Sequence, residues 1–147
     1  MNLWLRAGAA SATAIGLVYL LTPLVRLAAL RRGAIAKPVN DRWGRRIVTR
    51  FGGVALYAGT LGSVLLWVPM SPKVIGLLIG STLVFLVGLA DDIRRMWPYT
   101  KLILQLLIGC LVVFGGIRIT LIQWEWLAIP LSVLWFVLVM NAFNLLD

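Results

Sequence analysis

Long apolar stretches, separated by short charged segments, dominate the sequence. Five stretches carry no charged residue: 7–25, 51–72, 74–90, 102–117 and 126–146. A helix needs roughly 20 apolar residues to cross a bilayer, or somewhat fewer where flanking side chains reach the headgroups. The pattern predicts an all-α, polytopic membrane helix bundle with about five transmembrane helices. The predicted spans are approximately 7–30, 51–70, 74–90, 101–116 and 126–146.

Composition agrees with a membrane protein and excludes several classes of soluble protein. Hydrophobic residues make up 61% of the 147 residues. The chain contains no histidine, which excludes histidine catalysis and histidine-rich metal sites within it. Its single cysteine, Cys110, lies in an apolar stretch, so an internal disulfide framework is excluded. The stretch after Arg6 resembles a signal peptide, but no small-residue cleavage site follows, and we predict an uncleaved first span.

The distribution of charge predicts the orientation in the membrane. Lys and Arg number 14 against 5 Asp and Glu, and most bases fall in two predicted loops, 31–50 and 91–100. Basic loops remain on the cytoplasmic side, so the N-terminus is expected outside and both loops inside. Bases beside membrane spans suit the lipid bilayer and phosphorylated substrates, and we expect no nucleic acid partner.

Asp91 and Asp92 form an adjacent pair of acids at the cytoplasmic end of the third predicted span. They could be a solvated interfacial pair that caps the following helix. However, carboxylates at a helix C-terminus oppose the helix dipole, and adjacent carboxylates repel unless a lysine, an arginine or a divalent metal relieves them. The pair alone leaves the structural and the functional interpretations open.

Further polar residues are predicted at the same membrane surface. Lys101 and Gln105 are four residues apart and share one helix face, where the lysine could snorkel or hold a phosphate. Asn141 and Asn144 lie in an apolar span, where amides join helices or line a polar site. Magnesium prefers oxygen ligands and is often shared between carboxylates and phosphates. Together these residues predict phosphoryl transfer on a phospholipid-like substrate at the cytoplasmic face.

The segment GLADDIRRMWPYTKLILQ resembles the GLxDDxxxLxxxxKLxxQ signature of the polyprenyl-phosphate N-acetylhexosamine-1-phosphate transferases, which are of the glycosyltransferase family 4 type. RFGGVAL, FGGIRIT and PLSVLWFVLVMNAFNLLD resemble other family segments in the expected order. The resemblance implies transfer of an N-acetylhexosamine-1-phosphate, above all GlcNAc-1-phosphate, from a UDP-N-acetylhexosamine to undecaprenyl phosphate. It implies Mg²⁺, or Mn²⁺ in its place. RFGG is similar to the bacterial branch that initiates cell-envelope polysaccharides such as lipopolysaccharide O-antigen or wall teichoic acid. This resemblance implies a multi-pass protein of the bacterial cytoplasmic (inner) membrane.

The resemblance also implies a role for individual residues. Asp91 and Asp92 would be the catalytic pair, with Asp91 the base or the orienting group for the lipid phosphate. The lipid-phosphate ligands would be Lys101 and Asn141. The magnesium ligands would be Asn144 and Asp92. The nucleotide-sugar ligands would be Lys37, Arg50 and Asp147.

Two departures from the family pattern shape the remaining expectations. The first loop reads KPVNDRWGRR and lacks the histidine of the family's PNxRxxH-like stretch. The sequence ends within the family's NxxNxxDGxDG motif, so we expect the N-terminal part of a longer transferase, inactive alone and able to form a homodimer through its exposed face. Two alternatives remain: the phospho-N-acetylmuramoyl-pentapeptide transferase branch, and a non-catalytic polyprenyl-phosphate-binding membrane protein.

Overall fold

A computed structural model describes residues 2–31 and 51–146, with side chains described as far as residue 144. All regular secondary structure in these ranges is α-helical, which confirms the predicted all-α class. The helices are α1 (Leu3–Arg31), α2 (Gly52–Trp67), α3 (Pro72–Arg94), α4 (Pro98–Phe114) and α5 (Glu125–Leu146).

Three of these helices are long and apolar enough to cross a membrane, namely α1, α3 and α5. Helices α2 and α4 have 16 and 17 residues, and at 1.5 Å per residue they extend only about 25 Å, against about 30 Å of hydrocarbon. Many large apolar side chains lie on the surface, among them Tyr19, Leu66 and Phe114. Lipid would cover such side chains, and the fold is that of a multi-pass membrane protein.

The turn between α3 and α4 is shorter than the predicted loop 91–100. Helix α3 continues to Arg94 and α4 begins at Pro98, so only residues 95–97 are non-helical. The first residue of a helix makes no intrahelical hydrogen bond through its N–H group, so proline, which lacks that group, loses nothing there. Its fixed φ angle also favours the helix. Asp91 and Asp92 therefore lie in the last turn of α3 and not in a loop.

The described residues up to 69, namely 2–31 and 51–69, form the first compact unit, in which α1 packs against α2. Small residues of α2 allow the two helices to approach closely. A Cβ atom at Gly59 would lie 2.6 Å from Cγ2 of Val18. Ser63 is buried and its hydroxyl donates a hydrogen bond of 2.5 Å to the carbonyl oxygen of Ala10. The first unit is thus held together by close packing of the two helix backbones and by a hydrogen bond from a side-chain hydroxyl of α2 to a backbone carbonyl of α1.

Residues 70–146 form the second compact unit, in which α4 packs against both α3 and α5. Gly80 of α3 leaves room for the side chain of Val112, which a Cβ atom would overlap. Gly109 faces Val133 of α5, with 3.4 Å between a Cβ built on the glycine and the valine Cγ1. Because α3, α4 and α5 alternate in direction, the end of α3, the start of α4 and the end of α5 lie at the same end of the unit.

Candidate functional site

A lysine links the three helix ends of the second unit. The ammonium group of Lys101 donates hydrogen bonds to Oδ2 of Asp91 at 2.5 Å and to Oδ1 of Asn144 at 2.7 Å. The side chains of Lys101 and Asp91 are 15% and 23% exposed. The cation that the acid at the end of α3 requires is therefore a lysine of α4, and the structure joins three of the predicted site residues in one cluster.

Asp91 stabilises the turn after α3 through both its backbone carbonyl and its side-chain carboxylate. Its backbone carbonyl accepts a hydrogen bond from the amide of Arg95, and its Oδ1 accepts one from the amide of Met96, both at 2.8 Å. These bonds hold Arg95 at a φ of 41°, which is uncommon for a residue other than glycine. The carboxylate thus stabilises the turn that follows its own helix. The sequence had left open that the acids cap α4, but Trp97 occupies that position without a side-chain hydrogen bond.

A second polar contact joins α4 and α5 one helical turn deeper. The side-chain amide nitrogen of Asn141 donates to Oε1 of Gln105 at 2.8 Å and to the carbonyl oxygen of Val137 at 2.9 Å. Gln105 is only 5% exposed. Both hydrogens of the Asn141 amide are therefore engaged within the protein, and its predicted role as a lipid-phosphate ligand stays a prediction. The sequence placed Gln105 on the face of Lys101 but did not indicate its partner.

The remaining predicted site residues fall outside this cluster or outside the described part of the chain. Asp92 is exposed in the last turn of α3. Lys37, Arg50 and Asp147 lie outside the described residues, so their predicted contacts with a nucleotide sugar stay predictions.

A groove of about 290 Å³ runs along α3, α4 and α5 from the cluster into the apolar part of the unit. Lys101, Gln105 and Asn144 line its polar end. The rest of the lining is almost entirely apolar and includes Val84 and Val139. A groove with a cationic end and an apolar end suits an amphipathic, anionic ligand.

The oxygen atoms of the site have the chemistry of a partial magnesium shell. Carboxylate and amide oxygens are the ligands that magnesium prefers, and proteins often supply only one or two when substrate phosphates provide others. In residues 2–31 and 51–146, however, no group of three or more acidic, cysteine or histidine side chains could hold a metal ion. Asp92 and Asn144 carry oxygen atoms of the kind that magnesium prefers, and their predicted role as magnesium ligands stays a prediction.

The sequence profile of glycosyl transferase family 4 matches residues 74–147, the region that contains α3, α4, α5 and the whole cluster. The chain belongs to glycosyl transferase family 4. This confirms the family that the DD, KLxxQ and NxxN motifs indicated.

The chain is also similar to a curated bacterial protein. The chain is 28% identical over 140 residues to a probable undecaprenyl-phosphate N-acetylglucosaminyl 1-phosphate transferase of Bacillus subtilis (strain 168). The match covers 88% of this chain but 39% of that protein, so the chain spans about two fifths of the relative's length. No solved structure matches the chain.

Proposed function

We propose that the protein transfers an N-acetylhexosamine-1-phosphate, GlcNAc-1-phosphate in the first place, from a UDP-sugar to undecaprenyl phosphate at the cytoplasmic face of the membrane. In this reaction an oxygen of the lipid phosphate attacks the β-phosphorus of the UDP-sugar. The bond from that phosphorus to the bridging oxygen breaks, and UMP leaves. Membership of family 4 and the name of the Bacillus subtilis relative support the reaction class. The observation that carries the proposal is the ammonium of Lys101, held between Asp91 and Asn144 at the end of an apolar groove.

Lys101 is the group best placed to bind the phosphate of the lipid. An ammonium group has three N–H donors, and two of them bond to Asp91 and Asn144. The third has no partner among the described residues. A phosphate at headgroup depth would accept this donor, while the first isoprene units would follow the apolar part of the groove. One groove would then bind both the charged and the hydrocarbon part of the lipid.

One carboxylate oxygen of Asp91, Oδ2, is positioned to take part in the proposed reaction. Its Oδ1 is held by the amide of Met96, so Oδ2 is fixed toward Lys101. In the proposed reaction Oδ2 positions the ammonium and accepts a proton from a lipid phosphate that arrives protonated, because a fully ionised phosphate is the better nucleophile. Bound magnesium would neutralise charge on the reacting phosphates, with Asp92 and Asn144 as its protein ligands.

The test is transfer of radiolabelled GlcNAc-1-phosphate by the complete gene product in liposomes that contain undecaprenyl phosphate. Asp91→Asn removes the proton acceptor but keeps an oxygen for Met96, and general-base contributions alone are about 10²–10⁴-fold. We therefore expect transfer to fall at least about 100-fold, while the protein still inserts in the membrane. The control is Glu125→Gln, which removes an acid whose side chain is 68% exposed and lies outside the cluster.

Near-normal transfer by Asp91→Asn would refute the role given to the carboxylate. The donor is tested by offering UDP-MurNAc-pentapeptide in place of UDP-GlcNAc, and preference for it would place the protein in the muramoyl branch. A wild-type protein that transfers neither sugar but retains undecaprenyl phosphate would be a lipid-binding protein and not a transferase.

A further inference from the structure

The hydrogen bond between Gln105 and Asn141 connects α4 to α5 directly beneath the site. We propose that this amide pair is a positioning device, which sets the register of α4 against α5 and so keeps the ammonium of Lys101 on Asn144. The inference rests on the proposed function, because it deepens the account of how the lipid phosphate is bound. Gln105 lies at the edge of the groove, but the positioning role depends on its bond to Asn141 and not on contact with the substrate.

The direction of the hydrogen bond between the two amides is fixed by a third group. The carbonyl oxygen of Val137 can only accept, so the nitrogen of the Asn141 amide must face it. The second hydrogen on that nitrogen then points to Gln105, which must present its oxygen. Each amide is thus held in one orientation. Gln105 is almost inaccessible, and a buried amide that loses its partner is costly.

Two hydrogen-bonded contacts, which we call rungs, connect α4 and α5. The outer rung is the Lys101–Asn144 bond and the inner rung is the Gln105–Asn141 bond. Gln105 follows Lys101 by four residues, and Asn141 precedes Asn144 by three. The amide pair and the Lys101–Asn144 bond therefore lie about one helical turn, roughly 5.4 Å, apart. The outer rung alone is a weak constraint, because Asn144 is exposed and lysine has a flexible stem. With two rungs, neither sliding nor rotation of α5 is possible without breaking a hydrogen bond.

Loss of the inner rung should act on the lipid substrate in particular. If α5 shifts, Lys101 of α4 keeps its bond to Asp91 of α3, because a short turn joins these two helices, but it loses the side-chain carbonyl of Asn144. A misplacement of about 1 Å can cost roughly 100-fold in rate, and the flexible lysine stem should recover part of it. We expect the KM for undecaprenyl phosphate to rise about tenfold, while the KM for the UDP-sugar stays within about twofold.

The experiment compares Gln105→Leu, Asn141→Leu and the double variant in the complete gene product. Each single variant leaves one amide, the buried Gln105 or the half-buried Asn141, without its side-chain partner and should lower thermal stability. The double variant buries two apolar groups instead, which can be nearly neutral for stability. We expect the double variant to be as stable as the wild type and still to show the tenfold higher KM for undecaprenyl phosphate. This combination separates a positioning role from a purely structural one.

The matched control is Ser132→Ala, which removes another buried hydrogen-bonding side chain of α5. The Ser132 hydroxyl donates to the carbonyl of Ala128 and accepts from the amide of Ile119. Its loss should lower stability without changing either KM. A stable double variant with a normal KM for undecaprenyl phosphate would overturn the inference, as would equal changes in the KM of both substrates.

Binding of radiolabelled undecaprenyl phosphate to the purified variants distinguishes failure of this inference from failure of the proposed function. If the wild type binds the lipid without transferring a sugar, tenfold weaker binding by the double variant supports positioning while the transferase proposal fails. If the wild type transfers the sugar and the double variant binds lipid normally, only the positioning role fails. If the wild type neither binds nor transfers, both are wrong.

Discussion

The ion pair between Asp91 and Lys101 should be a measurable part of the stability of the second unit. The variants are Asp91→Asn, Lys101→Met and the double variant, which together form a thermodynamic cycle. Lys101→Met should be the most destabilising, because it leaves a carboxylate in the last turn of α3, where the helix dipole already disfavours negative charge. The double variant should cost less than the sum of the two single variants, since it removes both charges.

The magnitude follows from how far the pair is removed from solvent. Exposed ion pairs contribute about 0–1 kcal/mol, whereas removal of one partner from a fully buried pair costs about 3–5 kcal/mol. The two side chains are 15% and 23% exposed and their charged atoms are 2.5 Å apart. We therefore expect a coupling free energy of about 2 kcal/mol, between these two limits.

The assay is unfolding of the purified protein in mixed micelles with increasing SDS, followed by tryptophan fluorescence, since the chain has 7 tryptophans. Arg118 and Glu125 provide the control cycle, because they form an ion pair of similar length, 2.6 Å, with side chains 38% and 68% exposed. Their coupling should fall within about 0–1 kcal/mol. Equal coupling in the two cycles would refute the argument that partial burial strengthens the Asp91–Lys101 pair.

Two further predictions concern binding and packing. Lys101→Gln should raise the KM for undecaprenyl phosphate more than that for the UDP-sugar, because the phosphate loses a cationic donor. Steady-state kinetics with each substrate varied separately will show this. An effect confined to the KM for the UDP-sugar would place Lys101 in the nucleotide pocket instead. Gly59→Ala should lower the stability of the first unit by about 1–3 kcal/mol, since the new Cβ would lie 2.6 Å from Val18 Cγ2. Gly16→Ala is the control for that SDS-unfolding measurement, because a Cβ there meets nothing within 4 Å. Helix propensity should make Gly16→Ala neutral or slightly stabilising, and equal losses in both glycine variants would contradict the packing argument.

Much of this protein was predictable from sequence, because the relevant signals are local. Apolar runs without charge require helices in a membrane, where backbone groups must bond within their own segment. The family could be identified because the DD, KLxxQ and NxxN motifs keep fixed spacings along the chain. The membrane surface shared by Asp91, Lys101 and Asn144 was also predictable, since it follows from the alternating direction of successive spans.

The partners of these side chains were decided by the tertiary structure alone. The sequence left open whether Asp91 is relieved by a lysine, an arginine or a metal, because each can supply a cation at that depth. The short turn at 95–97 brings Lys101 back over the end of α3, and this geometry selects the lysine. In the same way, the sequence allowed Asn141 either to join helices or to line a site. Its nitrogen bonds to Gln105 of α4, in a unit where α4 and α5 also approach closely at Gly109. Such a relation between distant segments depends on the packed helices and not on any local pattern.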